Sequence, residues 1–209
     1  MSLESILTRI QALDTAFVPA QSTSTTSTPA STSGASFASA LQGAMGTTAT
    51  ATAATTPVTP VSGNSVGARI VAAAAGEVGQ AEQPPGSNNS PRIAQYRSAT
   101  AGAPGPGPWC AYFVSWAARQ AGAPLGNQGQ GFGSVDQLYS WAQQTGRAYT
   151  AGSGQTPKPG DLIVFHEHIG IVEGVDANGD IHTIEGNSGD QVARRVHPPG
   201  DAVGFVHVG

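Results

Sequence analysis

At 209 residues the chain suits one ordinary domain plus a tail and is marginal for two separate cores, and with 11% charged residues and a formal net charge of -4 it has no basic surplus to draw it to nucleic acid. Its single cysteine, Cys110, excludes an intramolecular disulfide and a multi-cysteine zinc site, which leaves either a small buried hydrophobe or a reactive thiol. No run approaches the roughly 20 apolar residues that a bilayer crossing needs, so no transmembrane segment is expected.

The opening residues lack the basic start and continuous apolar run of a cleavable secretory signal, because Glu4 comes early and Arg9 interrupts the segment. Leu3, Ile6, Ile10, Leu13 and Phe17 stand at helical spacing, so a short amphipathic helix is expected within 1–19. Residues 20–63 collapse into Ser, Thr, Ala and Pro, which cannot bury enough apolar surface to offset the entropy of ordering; they read as a disordered linker. Within it Phe37, Leu41 and Met45 recur every four residues, a pattern that suits a short helix at 37–45 held by a partner and equally a chance apolar cluster.

The folded domain is expected over 64–209, opening with an Ala-rich helix capped by Asn64 or Ser65 and running to about Gly79. Residues 83–108, rich in Pro, Gly, Asn and Ser, read as one long irregular loop. A second helix over 110–120 is announced by Pro108 and ended by Gly122 and Pro124. It is apolar around most of its circumference, leaving mainly Ser115 and Arg119 for solvent, and so belongs in the middle of the domain. The glycine-dense residues 126–133 have no preceding strand and no closing Lys-Ser/Thr pair, so they read as a mobile flap rather than a nucleotide loop. Ser134 followed by Gln137 is a capping box that opens a third helix carrying Leu138 and Trp141. After Pro159, β-rich runs at 162–165, 168–175, 181–185, 192–196 and 203–208 alternate with turn residues and predict an antiparallel meander. Helices first and strands second make the fold α+β.

A cysteine in the first turn of a buried helix sits where unpaired backbone N–H groups and the helix dipole favour negative charge, which makes Cys110 a candidate nucleophile. Among the five histidines, His166, His168, His182, His197 and His207, the best placed base is His168, which heads an apolar strand and shares a face with the small Gly170. Ile181, Thr183, Glu185 and, if the strand runs on, Asn187 fall on one face, where a carboxylate or amide can hold the tautomer of the base. The Asn187, Ser188, Gly189 stretch can instead turn the chain there. His166 and His168 form an H-x-H pair with no third and fourth ligand at recognisable spacing, so no metal site is expected; His166 reads as a turn or cleft-rim residue.

Pro108 to Trp116 (Pro, Trp, Cys, Ala, Tyr, Phe, Val, Ser, Trp), Pro159, Gly160, Asp161, Leu162, Ile163, Val164, Phe165, then His168, Ile169, Gly170, Ile171, Val172, and finally Ile184, Glu185, Gly186, Asn187 resemble in order and spacing the CHAP domains, cysteine- and histidine-dependent amidohydrolases and peptidases. The resemblance covers roughly 64–209 and implies a papain-like α+β fold with helices packed on an antiparallel sheet. It implies Cys110 as nucleophile, His168 as base, and Glu185 and Asn187 as orienting groups. Trp109 would line the substrate cleft beside the nucleophile, with core packing as the alternative, and His166 would stand at its rim. Some members bind calcium through an acidic loop before the cysteine; here residues 81–109 carry Glu82 and no aspartate, so neither calcium nor any other cofactor is expected.

The activity implied is amide hydrolysis in peptidoglycan, either between muramic acid and L-alanine or within the stem and cross-bridge peptides, at the bacterial cell envelope or in secreted form, by an export route without a cleavable signal. The readings that compete with it are a non-hydrolytic wall-binding or structural module, and another papain-like cysteine hydrolase such as an NlpC-type endopeptidase or a small-molecule amidase. Residues 1–45 resemble substrates of flagellar-type export, which implies a flagellar or other envelope assembly as partner.

Overall fold

The computed structural model describes residues 65–209. The helix expected within 1–19, the linker at 20–63 and the segment at 37–45 lie outside the described residues. Helix α1, Val66–Ala75, starts where Ser65 Oγ accepts the Ala68 N–H at 3.1 Å. It stops short of Gly79: the chain leaves the helix at Gly76, and Gly79, at φ +92°, donates its N–H to the Val192 carbonyl. The stretch expected to be one irregular loop contains a second helix, α2, Pro91–Ser98. Its signal is local and compact. Ser90 Oγ accepts the Ile93 N–H, Pro91 occupies the first turn where no N–H is needed, and Ile93, Tyr96 and Arg97 are buried. Helix α3, Cys110–Gln120, and helix α4, Val135–Gln144, complete the set among the described residues, the latter capped by Ser134.

The strands are β1, Ala148–Thr150; β2, Leu162–Val164; β3, Ile169–Val175; β4, Ile181–Glu185; β5, Ala193–His197; and β6, Gly204–Val206. They form one antiparallel sheet in the order β1-β6-β2-β3-β4-β5. The expected meander therefore holds from β2 to β5, while β6 returns to lie between β1 and β2, and β1 is a strand that the sequence pattern did not suggest. This is the α+β arrangement that the resemblance implies.

Strand alternation divides the sheet into two faces. Leu162, Val164, Ile169, Ile171, Ile184 and Val206 join the core shared with the helices, while Ile163, Val172, Ile181 and Phe205 form a smaller apolar cluster on the opposite face. Helix α3 is the centre of the larger core, with every residue from Cys110 to Ala118 buried. Ser115, expected to face solvent, is inside: its hydroxyl donates to the Phe132 carbonyl at 3.0 Å and accepts the Phe132 N–H at 2.9 Å. The segment expected to be a flap is thereby pinned. Leu125 and Phe132 are buried, and Arg119 and Trp141 donate to Gly129 and Asn127.

Two close approaches set α1 against the turn before β2. A Cβ on Gly67 would run into the Pro159 carbonyl oxygen, and Gly160, at φ +89°, packs directly on the Gly67 backbone. Asp161 then closes the turn, accepting the Lys158 N–H at 3.0 Å and the Tyr149 hydroxyl at 2.8 Å, with His207 Nδ1 2.9 Å from its other oxygen. Backbone meeting backbone has no side chain that can give way. Gly67→Ala is therefore expected to cost about 1–3 kcal/mol, read as a lower midpoint in thermal or urea unfolding. Ala73→Gly, at a partly buried position of the same helix, should cost about 1 kcal/mol by propensity alone.

Candidate active site

Cys110 is the first residue of α3 and 5% exposed, at the floor of a cleft of about 610 Å³ that Pro106, Pro108, Tyr112, Gly133, Asp136 and His166 help to line. The first hydrogen bond of the helix runs from the Phe113 N–H to the Trp109 carbonyl, so the N–H groups of Cys110, Ala111 and Tyr112 have no intrahelical acceptor. Trp109, the N-cap, supplies no side-chain bond to them.

His168 lies just before β3, with its imidazole hydrogen-bonded to Glu185 and within electrostatic reach of Cys110. Nε2 is 2.9 Å from Glu185 Oε2, which leaves Nδ1 as the nitrogen for the sulfur. Burial by itself disfavours the imidazolium, but hydrogen bonds to Cys110 and Glu185, together with their negative charge, outweigh it and push the His168 pKa up to about 9. Glu185 shows the same balance with opposite sign. Its 2% exposure favours the neutral acid, yet donors from His168, Thr183 and His197 bring its pKa down to about 2. Between those values the carboxylate is ionised and the imidazole protonated.

Glu185 is centred by its surroundings. Thr183 Oγ1 donates to Oε1 at 2.6 Å, and His197 Nε2 is 2.6 Å from the same oxygen. A Cβ on Gly170 would lie 2.7 Å from Glu185 Cγ, so the small residue next to the base makes room for the carboxylate rather than for the imidazole. His197 was not among the sequence candidates. Its signal is register: Ile181 faces His197 across β4 and β5, which puts it on the same sheet face as Thr183 and Glu185.

Two expectations need correcting. Asn187 does not continue the strand alternation to His168. The chain turns at φ +60°, and its side chain points to the helix start instead, with Oδ1 accepting the Trp109 N–H at 3.1 Å and Nδ2 donating to Glu82 at 3.1 Å. Trp109 does not line the cleft; it is fully buried, stacked with Tyr96 at 5.7 Å, and its Nε1–H donates to Glu82 Oε1 at 2.9 Å. Glu82, read in the sequence only as too little for a calcium loop, is a buried acceptor that ties the 82–88 loop, Trp109 and Asn187 into one unit. His166 does stand on the cleft wall beside Glu167. Among the described residues no group of three His, Cys, Asp or Glu side chains is placed to hold a metal ion.

Compared with known proteins, residues 102–187 match the family model of the CHAP domain, a span that takes in Cys110, His168, Glu185 and Asn187. No curated protein and no solved structure matches the chain.

The rate of an acyl transfer that needs the His168 proton should fall as pH rises through about 9. Glu185→Gln keeps the shape and removes the charge, so the alkaline limb of kcat/KM is expected to move down toward the ordinary histidine value of about 6.5. Asn187→Ala, which acts on the Trp109 backbone, should lower kcat/KM while leaving that limb in place. Profiles measured on all three proteins decide it. A Glu185→Gln limb still near the wild-type position would remove Glu185 from the His168 pair.

Proposed function

We propose, from the match of residues 102–187 to the family model of the CHAP domain, that the chain is a cysteine hydrolase cutting amide bonds in peptidoglycan peptides, with Cys110 as nucleophile and His168 as the proton-transfer group. The observation that carries this reading is the hydrogen bond of His168 to the buried Glu185 beside Cys110, whose side chain lines an open cleft. The thiolate attacks the amide carbonyl carbon, and the electron pair of the C=O bond moves onto oxygen. Free N–H groups at the start of α3, that of Cys110 among them, are the donors for this oxyanion. His168 passes the Nδ1 proton to the departing amine as the C–N bond breaks, leaving a thioester and a neutral imidazole. The imidazole then takes a proton from water as the oxygen adds to the thioester, and loss of thiolate releases the carboxylate product. Glu185 holds the ring throughout, while Asn187 and Glu82 hold the backbone at Trp109.

The cleft lining bears on which bond is cut. Asp136 and Glu167 line it and no Lys or Arg does, a lining suited to a substrate carrying an ammonium group near the scissile bond. The diamino residues of stem and cross-bridge peptides carry such a group and the muramic acid to L-alanine junction does not, so the finer reading is an endopeptidase rather than an amidase. Residues 64–209 constitute the catalytic domain in this reading. The preceding segment, particularly 1–45, is assigned to delivery or recruitment at a flagellar or other envelope assembly.

Purified peptidoglycan digested with the protein should yield new ends within its peptides, identified by mass spectrometry, and Cys110→Ala should yield none. New lactyl carboxylates paired with amino-terminal alanine would make the enzyme an amidase. A Cys110→Ala variant as active as wild type would end the cysteine-hydrolase reading. A chain starting at residue 64 is expected to digest isolated peptidoglycan at the wild-type rate, and an inactive one would assign the tail a part in the fold.

A further inference from the structure

Glu185 has two oxygens and three side-chain donors, and two of the donors, Thr183 and His197, have no place in a cysteine, histidine and carboxylate triad. His197, at the end of β5, brings Nε2 to 2.6 Å from Glu185 Oε1, a shorter approach than that of His168 to the other oxygen. Thr183 Oγ1 shares Oε1. With that oxygen engaged from two sides, the carboxylate plane cannot swing, and Oε2 is left facing His168.

The surroundings of His197 point the same way. Phe165 packs on both imidazoles, with ring centroids 4.7 Å from His197 and 6.0 Å from His168, so one aromatic side chain braces the two histidines against the buried carboxylate between them. The ring of His197 is 21% exposed, and its Nδ1 is 4.0 Å from Asp201 Oδ2 in the turn that follows β5. Asp201 is the acidic group facing it from outside the sheet. On its own strand, Arg195 is turned to the Arg194 and Ser188 carbonyls and does not enter the cluster. The far nitrogen of His197 thus points toward solvent and Asp201, and the near one toward Glu185.

We propose that His197 is a positioning residue for the proposed reaction, acting through Glu185: its Nε2–H and its half-buried ring fix the carboxylate against His168 and keep water off it. The site is then a relay of four side chains, Cys110, His168, Glu185 and His197, with Thr183 as a second brace. The inference rests on the cysteine-hydrolase reading for its role in turnover. It rests on geometry alone for its effect on the Cys110 and His168 pair.

That separation shapes the test. His197→Ala removes the donor and opens a path for water to Glu185, whereas His197→Gln places an amide N–H at a similar reach from the backbone. The full-length proteins are compared by kcat/KM on defined muropeptides and, independently, by the pH dependence of the His168 imidazole resonances in NMR spectra. The resonances need no substrate and report where His168 loses its proton. His197→Ala is expected to lose about tenfold in kcat with KM within about twofold, and its His168 inflection should fall by about one pH unit. His197→Gln should recover most of both, and thermal melts establish that each variant is folded. An inflection in His197→Ala that superimposes on wild type, or a His197→Gln variant displaced as far as His197→Ala, would overturn the inference. If the wild-type protein cuts no muropeptide and the His168 inflection still shifts and is rescued, the substrate reading fails and the positioning role of His197 stands.

Discussion

A carboxylate with almost no exposure stays ionised only where donors surround it, and Glu185 is placed so that all of its donors come from one face of the sheet. His168 arrives from the head of β3, Thr183 from β4 itself and His197 from the end of β5. The strand register that brings these three together also decides where His168 points. Its ring must reach past the sheet to a sulfur at the start of α3, and a carboxylate free to rotate would not keep it there. Burial strengthens the coupling, because the same low dielectric that penalises a lone charge makes the ion pair with the imidazolium count for more than it would in water.

Small residues allow that charge to sit inside. Gly170 leaves room for Glu185 Cγ on one side of the sheet. On the other, Gly186 lies against Phe113 and Trp109, where a Cβ would come within 2.6 Å of Phe113 and 2.8 Å of Trp109. The two glycines thus let β4 pass between a polar cluster and an aromatic core without spreading either. Tyr96, Trp109, Phe113 and Trp116 fill that core with ring centroids 5.1–6.4 Å apart. Glu82 provides the matching polar anchor on the helix side, accepting Trp109 Nε1–H, Asn187 Nδ2–H and the Asn88 N–H. In the proposed reaction each of the two buried carboxylates serves one half of the chemistry: Glu185 sets the base, and Glu82 sets the backbone on which the nucleophile stands.

Local pattern carried much of this into the sequence. Caps at Ser65 and Ser134, the apolar circumference of α3 and the alternation from β2 to β5 are all readable within a few residues, and they place Cys110 and His168 at element starts. What failed to show depends on longer range or on single-residue backbone choices. Helix α2 is masked by the Pro, Gly and Asn residues that flank it, although Ser90 and Pro91 form a legible start. Asn187 leaves the alternation because one left-handed residue rotates its side chain to the helix side, and Asn is among the few residues that accept this conformation readily. His197 becomes adjacent to Glu185 only once the β4 to β5 register is known, and Glu82 meets Asn187 across 105 positions of chain. Trp109 looks like a cleft residue by its neighbour, but its indole is large enough to be captured by the aromatic core.

The two anchors also explain how the proposed nucleophile and base keep their geometry although they come from opposite halves of the domain. Cys110 belongs to the helical half and His168 to the sheet, so any sliding of α3 on β3 would separate them. The segment from Glu185 to Asn187 resists this. Its first residue holds His168, its middle residue packs on Phe113 and Trp109, and its last accepts the Trp109 N–H next to Cys110. Three consecutive residues thereby reach from His168 to the neighbour of Cys110. The Glu-Gly-Asn run acts as a clamp between helix and sheet, and the distance from thiol to imidazole is set by the end of one strand rather than by the packing of the whole core.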